Sequence, residues 1–368
     1  MHDAEVQALA SQVLWAAFVL AVLFGAIAQR THFCTMGALS DVVSMGDWSR
    51  MRQWALAAGV AVLGFNAMAG LGWVEAGKSI YAAPRLLWLS HAVGGLMFGF
   101  GMVLASGCGS KTLVRLGGGN LKSLVVFVVL GVAAYMTLRG LTAVWRVATV
   151  DRAVVALPTG QDLPSLLAAA TGTSRSAMAW PAGGAVGLAL LAWALLRPEG
   201  RSSDVLLGGV GIGAVIVAIW WVSGRLGHVP EHPQTLEEVF LATNSQRMES
   251  LSFVAPIAYT LDWLMLFSDK SKVLTLGIVS TAGVVLGSAA VALATRSFRW
   301  EGFGSLEDTA NHLVGAVLMG VGGVTALGCT IGQGLTGLST LSLGSVIAVA
   351  GIVAGALLAL RWQVWRLN

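Results

Sequence analysis

The sequence predicts an all-α, polytopic integral membrane protein of about nine crossing helices, with an inverted repeat and re-entrant short helices after its cysteine turns. Three observations carry that expectation. Hydrophobic residues make up 56% of the 368 positions and charged residues 11%, with a mean hydropathy of +0.78, which lies well beyond the usual balance of a soluble domain. Long uncharged runs recur along the whole chain. A segment that opens on histidine and closes on cysteine occurs twice, His91 to Cys108 and His312 to Cys329, each time over 17 positions.

Uncharged runs cover 11–29, 53–74, 86–110, 123–138, 176–196, 205–224, 273–295 and 309–360. A helical crossing needs about 20 apolar residues, so most of these cross once. Asp3 and Glu5 stand where a signal peptide would carry basic residues, and the first run is therefore read as a crossing. The last run has room for two crossings and a surplus, Cys329 to Thr340, rich in glycine. Such backbone survives at membrane depth only when buried in protein or lining a cavity, so a re-entrant or broken helix is expected there.

The stretch 250–268 decides the relation between the copies. It carries Pro256 and Asp262, and a central Asp costs about 2.5 to 3.5 kcal/mol on insertion scales. If it crosses, the cysteine segments are parallel; if it lies at the interface, nine crossings remain and the segments are antiparallel. The basic residues favour nine, because most of them, Arg30, Arg50, Lys122, Arg299 and Arg366 among them, then fall on one side. One transport domain follows, with repeat one at about 11–145, a variable middle at about 146–272 and repeat two at about 273–361. Two long outer segments are 139–175 and 225–272; the second reads as a solvated loop with a short amphipathic helix, and His228 with His232 as loop residues rather than metal ligands.

The chain has three cysteines and no Cys-x-x-Cys, so neither a disulfide framework nor a paired redox motif is expected. Each cysteine sits at a glycine-rich break: Phe33-Cys34-Thr35-Met36-Gly37, Gly107-Cys108-Gly109 and Gly328-Cys329-Thr330. An isolated cysteine in an apolar helix is usually a small buried hydrophobe, and glycine-rich helices often mean close packing. Packing accounts for Gly94 to Gly101 better than for the glycines beside the cysteines, which follow the end of a full-length helix. Gly109-Ser110-Lys111 and Thr330-Ile331-Gly332-Gln333 read as helix starts, where exposed N–H groups and partial positive charge suit an anion. Lys111 and Arg30 either snorkel to the interface or draw anions to one mouth. His91 and His312 lie about 25 Å of helix from the cysteines, too far for shared metal ligation. Most of the 14 tryptophans fall near helix ends and read as interfacial anchors. Aligning Arg30 with Arg296 sets Trp300 opposite Cys34, which leaves three thiols rather than four.

The run Arg30-Thr-His-Phe-Cys-Thr-Met-Gly-Ala-Leu-Ser-Asp41, the Gly107-Cys108-Gly109 turn and Gly328-Cys329-Thr-Ile-Gly332 resemble the YeeE/YedE family of sulfur-compound transporters. The resemblance implies uptake of thiosulfate across the bacterial inner membrane, with Cys34, Cys108 and Cys329 along the path. It also implies a small soluble sulfur-carrier protein as a cytoplasmic partner. No enzyme activity, cofactor, metal or nucleic-acid partner is expected beside the lipid bilayer and the anion. Another sulfur or selenium compound remains open as substrate, as do a membrane thiol oxidoreductase and a soft-metal transporter. The absent Cys-x-x-Cys weighs against the oxidoreductase, and the scattered methionines weigh against the metal. No nucleotide-binding signature occurs, so a gradient or consumption of the substrate would supply the energy.

Overall fold

In the computed structural model, residues 3–367 are described. Fourteen α-helices account for most of them, and the only sheet is two pairs of two-residue strands. The first three are α1 (Asp3–Arg30), α2 (Thr35–Met45) and α3 (Ser49–Gly70). Next come α4 (Trp88–Leu104), α5 (Gly109–Gly117) and α6 (Leu121–Arg139), then the amphipathic α7 (Leu141–Ala148) and α8 (Leu163–Thr171). The run continues through α9 (Arg175–Leu195), α10 (Ser203–Trp221), α11 (Ala255–Met265) and α12 (Leu276–Ala294). It closes with α13 (Leu306–Thr325) and α14 (Leu343–Leu367). Among the described residues, 8 helical stretches are long and apolar enough to cross a membrane. The acidic start of α13, Glu307 and Asp308, keeps it outside that set, although it packs between α4 and α6 at the centre.

Two ends of the helical layer can be told apart by their contacts. At one end Arg299 N–H donates to Gly118 O, Lys122 pairs with Asp308 at 2.9 Å and Arg366 pairs with Glu307 at 2.9 Å. Arg30 and Arg52 reach Asp204 and Glu199 there, so this is the basic end. At the opposite end Ser342 Oγ donates to Tyr81 O, and Leu343 N–H to Gln161 O. The run α4–α5 therefore goes from the opposite end to the basic end. The run from α13 through Cys329 to Ser342 goes back the other way. Alone, α5 is 9 residues and cannot cross; with α4 it completes one broken crossing, Trp88–Gly117.

Both breaks open on a residue of the same backbone conformation. Ser106 and Leu327 hold φ of 54° and 58°, a left-handed conformation that non-glycine residues adopt at some cost. Each stands just before the Gly-Cys pair of its own copy. The two histidines are likewise equivalent: His91 Nδ1 bonds Leu87 O at 2.6 Å and His312 Nδ1 bonds Asp308 O at 2.8 Å, one turn back in each helix.

The stretch 250–268 neither crosses nor lies flat. After Glu249 the chain descends without regular secondary structure to Phe253, which is fully buried and packs its ring 5.5 Å from that of Phe24. From there α11 climbs back out for 11 residues, with Pro256 in its first turn, where a missing N–H costs nothing. Asp262 reaches Lys272 at 2.6 Å near the surface, so its carboxylate never has to enter hydrocarbon unpaired.

The outer segment 139–175 is held in place: Asp162 is fully buried, caps α8 and pairs with Arg175 at 2.9 Å. Trp220 is not an anchor but a fully buried core residue whose Nε1–H donates to Ser339 Oγ at 3.0 Å. The counterpart of Cys34 is not Trp300, which is 74% exposed in the linker before α13. Helices α2 and α11 are both 11 residues long and begin at Thr35 and Ala255, so Val254 occupies the place of Cys34.

Candidate functional site: three thiols between two chambers

All three thiols are free, and each stands at the N-terminal edge of a short helical segment. Cys34 is the N-cap of α2, and its Sγ accepts the Gly37 N–H at 3.3 Å. Cys329 repeats the arrangement with Gly332 N–H at 3.4 Å, ahead of the wide turn Gly332–Gly337. Cys108 precedes α5, with its Sγ 3.2 Å from Ser110 Oγ and its carbonyl taken by Thr112 N–H. A sulfur that accepts an N–H still has its own S–H to donate. At Cys34 and Cys329 the geometry therefore leaves a weak, polarizable donor for a ligand.

The glycines around the thiols serve close approach. A Cβ on Gly37 would meet Arg50 Nη1 at 2.5 Å, and one on Gly109 would meet Phe253 O at 2.9 Å. Phe253 O therefore sits against the turn that follows Cys108. Cys108 is within electrostatic reach of both Cys34 and Cys329. Cys108 and Cys329 are 1% and 0% exposed, while Cys34 is partly open.

On the basic side a chamber of about 190 Å³ is walled by His32, Cys34, Gly37, Arg50, Ser106, Lys111 and Arg115. Arg50 is partly neutralised by Asp41 at 3.3 Å. Among the described residues Lys111 and Arg115 form no ion pair, so the chamber is net positive and suits an anion. On the other side a second chamber of about 190 Å³ reaches Gly328, next to Cys329, and is walled by Tyr81, Arg146, Glu249, Ser252 and Tyr259 among others. Cys108, Cys329 and Phe253 are buried and line neither chamber.

The other candidates from the sequence fall into place around this line. Gly107 packs over Lys111, and a Cβ on Gly332 would strike Ser252 Oγ. Gln333 donates through Nε2 to Ala326 O, while its Oε1 and the Thr330 hydroxyl are buried without a hydrogen-bond partner. Arg30 belongs elsewhere: its ion pair is with Asp204 at 3.7 Å, and it lines neither chamber. Sequence reasoning missed Phe253, Glu249, Ser252 and Tyr81. No sequence signal marked them, because the repeat offset of 221 carries Cys34 onto Ala255, one place past Val254. No cluster of three metal-ligating side chains occurs among the described residues, and His228 is taken by Glu238.

A profile of the sulphur transport family matches residues 30–358, which takes in all three cysteine breaks. The chain belongs to this family. It is similar to "Thiosulfate transporter TsuA" of Escherichia coli K12, with 25% identity over 353 residues and 91% of each chain covered. A "Thiosulfate transporter TsuA" of Spirochaeta thermophila is 24% identical over 362 residues, covering 93% of this chain and 97% of its own. "Probable transporter YedE" of Salmonella typhimurium matches over a shorter stretch, 29% identical over 101 residues and 27% of this chain. As a member of the sulphur transport family the protein is a multi-pass membrane transporter, not an enzyme. The YeeE/YedE resemblance read from the cysteine motifs holds over most of the chain.

Proposed function

We propose that the protein takes up thiosulfate, or a closely related sulfur anion, across the bacterial inner membrane along Cys34, Cys108 and Cys329. The observation that carries this reading is the set of three free thiols at helix-start breaks, with Cys34 in the wall of one chamber and Cys329 next to Gly328 in the wall of the other. An inorganic dianion cannot enter hydrocarbon bare, so oriented donors must replace its hydration. Backbone N–H groups at the breaks serve the oxygens, and the S–H groups serve the soft terminal sulfur. Weak thiol contacts suit transit, because the anion must leave each site as readily as it enters.

The basic end is the cytoplasmic side in this reading, by the positive-inside rule. The antiparallel cysteine segments then form an inverted repeat about the site, with α2 to α6 in one copy and α11 to α14 in the other. Gly37, Gly107, Gly109, Ser110, Gly328, Thr330, Gly332 and Gln333 shape the path, and Lys111 attracts the anion at its inner mouth. A small soluble sulfur-carrier protein collecting the product at that mouth fits a transporter with no nucleotide site. The test is uptake of labelled thiosulfate by cells that lack other sulfur importers. Uptake that needs Cys108 and Cys329 supports the reading, and equal uptake by the double alanine variant contradicts it.

A further inference from the structure

The chamber beside Cys329 carries an acid in an anion's way. Glu249 lines it just before the chain descends to Phe253, and Gly328 and Tyr81 form the wall toward Cys329. Tyr81 is within electrostatic reach of both Glu249 and Cys329. The only cation lining the chamber, Arg146, is paired with Asp151 at 3.0 Å. Two other nearby cations are taken: Arg247 Nη1 donates to Ser79 O, and Lys78 is held by Glu75 and Glu238. Arg139 acts on Tyr259, which faces Glu249 from α11. The Glu249 carboxylate has only Ser245 Oγ at 3.2 Å and the Asn244 N–H as partners, and forms no ion pair among the described residues.

We infer that Glu249 is a protonation gate on the chamber next to Cys329: the sulfur anion occupies that chamber only when the Glu249 carboxyl is neutral. The inference rests on the transport reading above. Charged, Glu249 makes the chamber net negative and repels a dianion across a low-dielectric space. Protonated, it becomes an O–H donor and joins Tyr81, Ser252 and Tyr259 in facing the anion. Burial raises the Glu249 carboxyl to about 7, so the gate would work within the physiological range.

The experiment is initial uptake of labelled thiosulfate into proteoliposomes, with the pH equal on both sides so that no proton gradient contributes. For a group titrating near 7, wild-type uptake at pH 8 should be about one tenth of that at pH 6. Glu249→Gln should be fast at both values. Ser245→Ala, at an exposed position, removes a hydrogen bond that favours the carboxylate, so its midpoint should move to higher pH. Should Glu249→Gln fail to assemble, that midpoint decides alone. A flat wild-type profile, a slope that survives Glu249→Gln, or an unmoved midpoint in Ser245→Ala would overturn the gate. A surviving slope would point to His32 in the opposite chamber. Absence of thiosulfate uptake at either pH would instead sink the transport reading, and the gate with it.

Discussion

Gly101 and Gly315 meet backbone to backbone: a Cβ on Gly101 would lie 2.7 Å from Gly315 O, and one on Gly315 would lie 2.6 Å from Gly101 O. Gly94 and Gly322 do the same, at 2.7 Å in both directions. In the two copies Gly94 matches Gly315 and Gly101 matches Gly322. Exchanging the halves therefore turns one contact into the other, which is what a two-fold axis between α4 and α13 requires. The helices approach closely because neither carries a side chain at these points.

That contact sets the first prediction. Gly101→Leu forces α4 and α13 apart beside the cysteine breaks, and overpacking of this kind costs about 1 to 3 kcal/mol. A clearly lower melting temperature in detergent is the expected outcome. Gly302→Ala, with nothing within 4 Å of its new Cβ, should melt like the wild type.

The second concerns topology. Arg366 pairs with Glu307 at the end where Gly200 packs on Ala194 and Arg52, whereas Gly77 lies in the loop at the opposite end. Reporters fused at Gly200 and after Arg366 should report the same side of the membrane, and a reporter at Gly77 the other.

Much of this was legible from residue order. Uncharged runs located the crossings, and the shared 17-residue spacing located both cysteine breaks, because a duplicated segment keeps its backbone problem and its solution together. The descent to Phe253 was not legible. Its uncharged run is short, contains Pro256 and ends at Asp262, so hydropathy reads it as a surface segment, and only tertiary contact with Gly109 reveals its depth. Trp300 was set against Cys34 because the charged ends of α1 and α12 were aligned, although the repeat begins one element later, at α2 and α11. Arg30 looked like a path residue from its place one turn before Cys34; the chain turns between them, and its side chain leaves toward Asp204.

A third prediction addresses the inner chamber. Lys111 lines it without an ionic partner among the described residues. Lys111→Gln should raise the KM for thiosulfate several-fold with a smaller effect on maximal rate, and should weaken the salt dependence of uptake. An unchanged KM would return Lys111 to a purely interfacial role.

The fourth concerns the buried thiols. Cys108→Ala and Cys329→Ala should each abolish or strongly reduce thiosulfate-dependent growth while protein abundance stays near normal, since each removes one sulfur atom from a glycine-bounded turn. Cys34→Ala should impair uptake less, because Cys34 is only partly buried and its repeat position holds Val254.

Recognition of the terminal sulfur by thiols is the central claim, and Cys329→Ser tests it most directly, since it keeps a donor of nearly the same size and removes only the soft atom. Backbone N–H groups favour any tetrahedral oxyanion and cannot separate thiosulfate from sulfate. The measurement is uptake of labelled thiosulfate by wild type and Cys329→Ser, each with and without a large excess of sulfate. Wild-type uptake that resists sulfate, with most transport lost in Cys329→Ser, is the predicted result. Strong competition by sulfate, or full activity in Cys329→Ser, would contradict it.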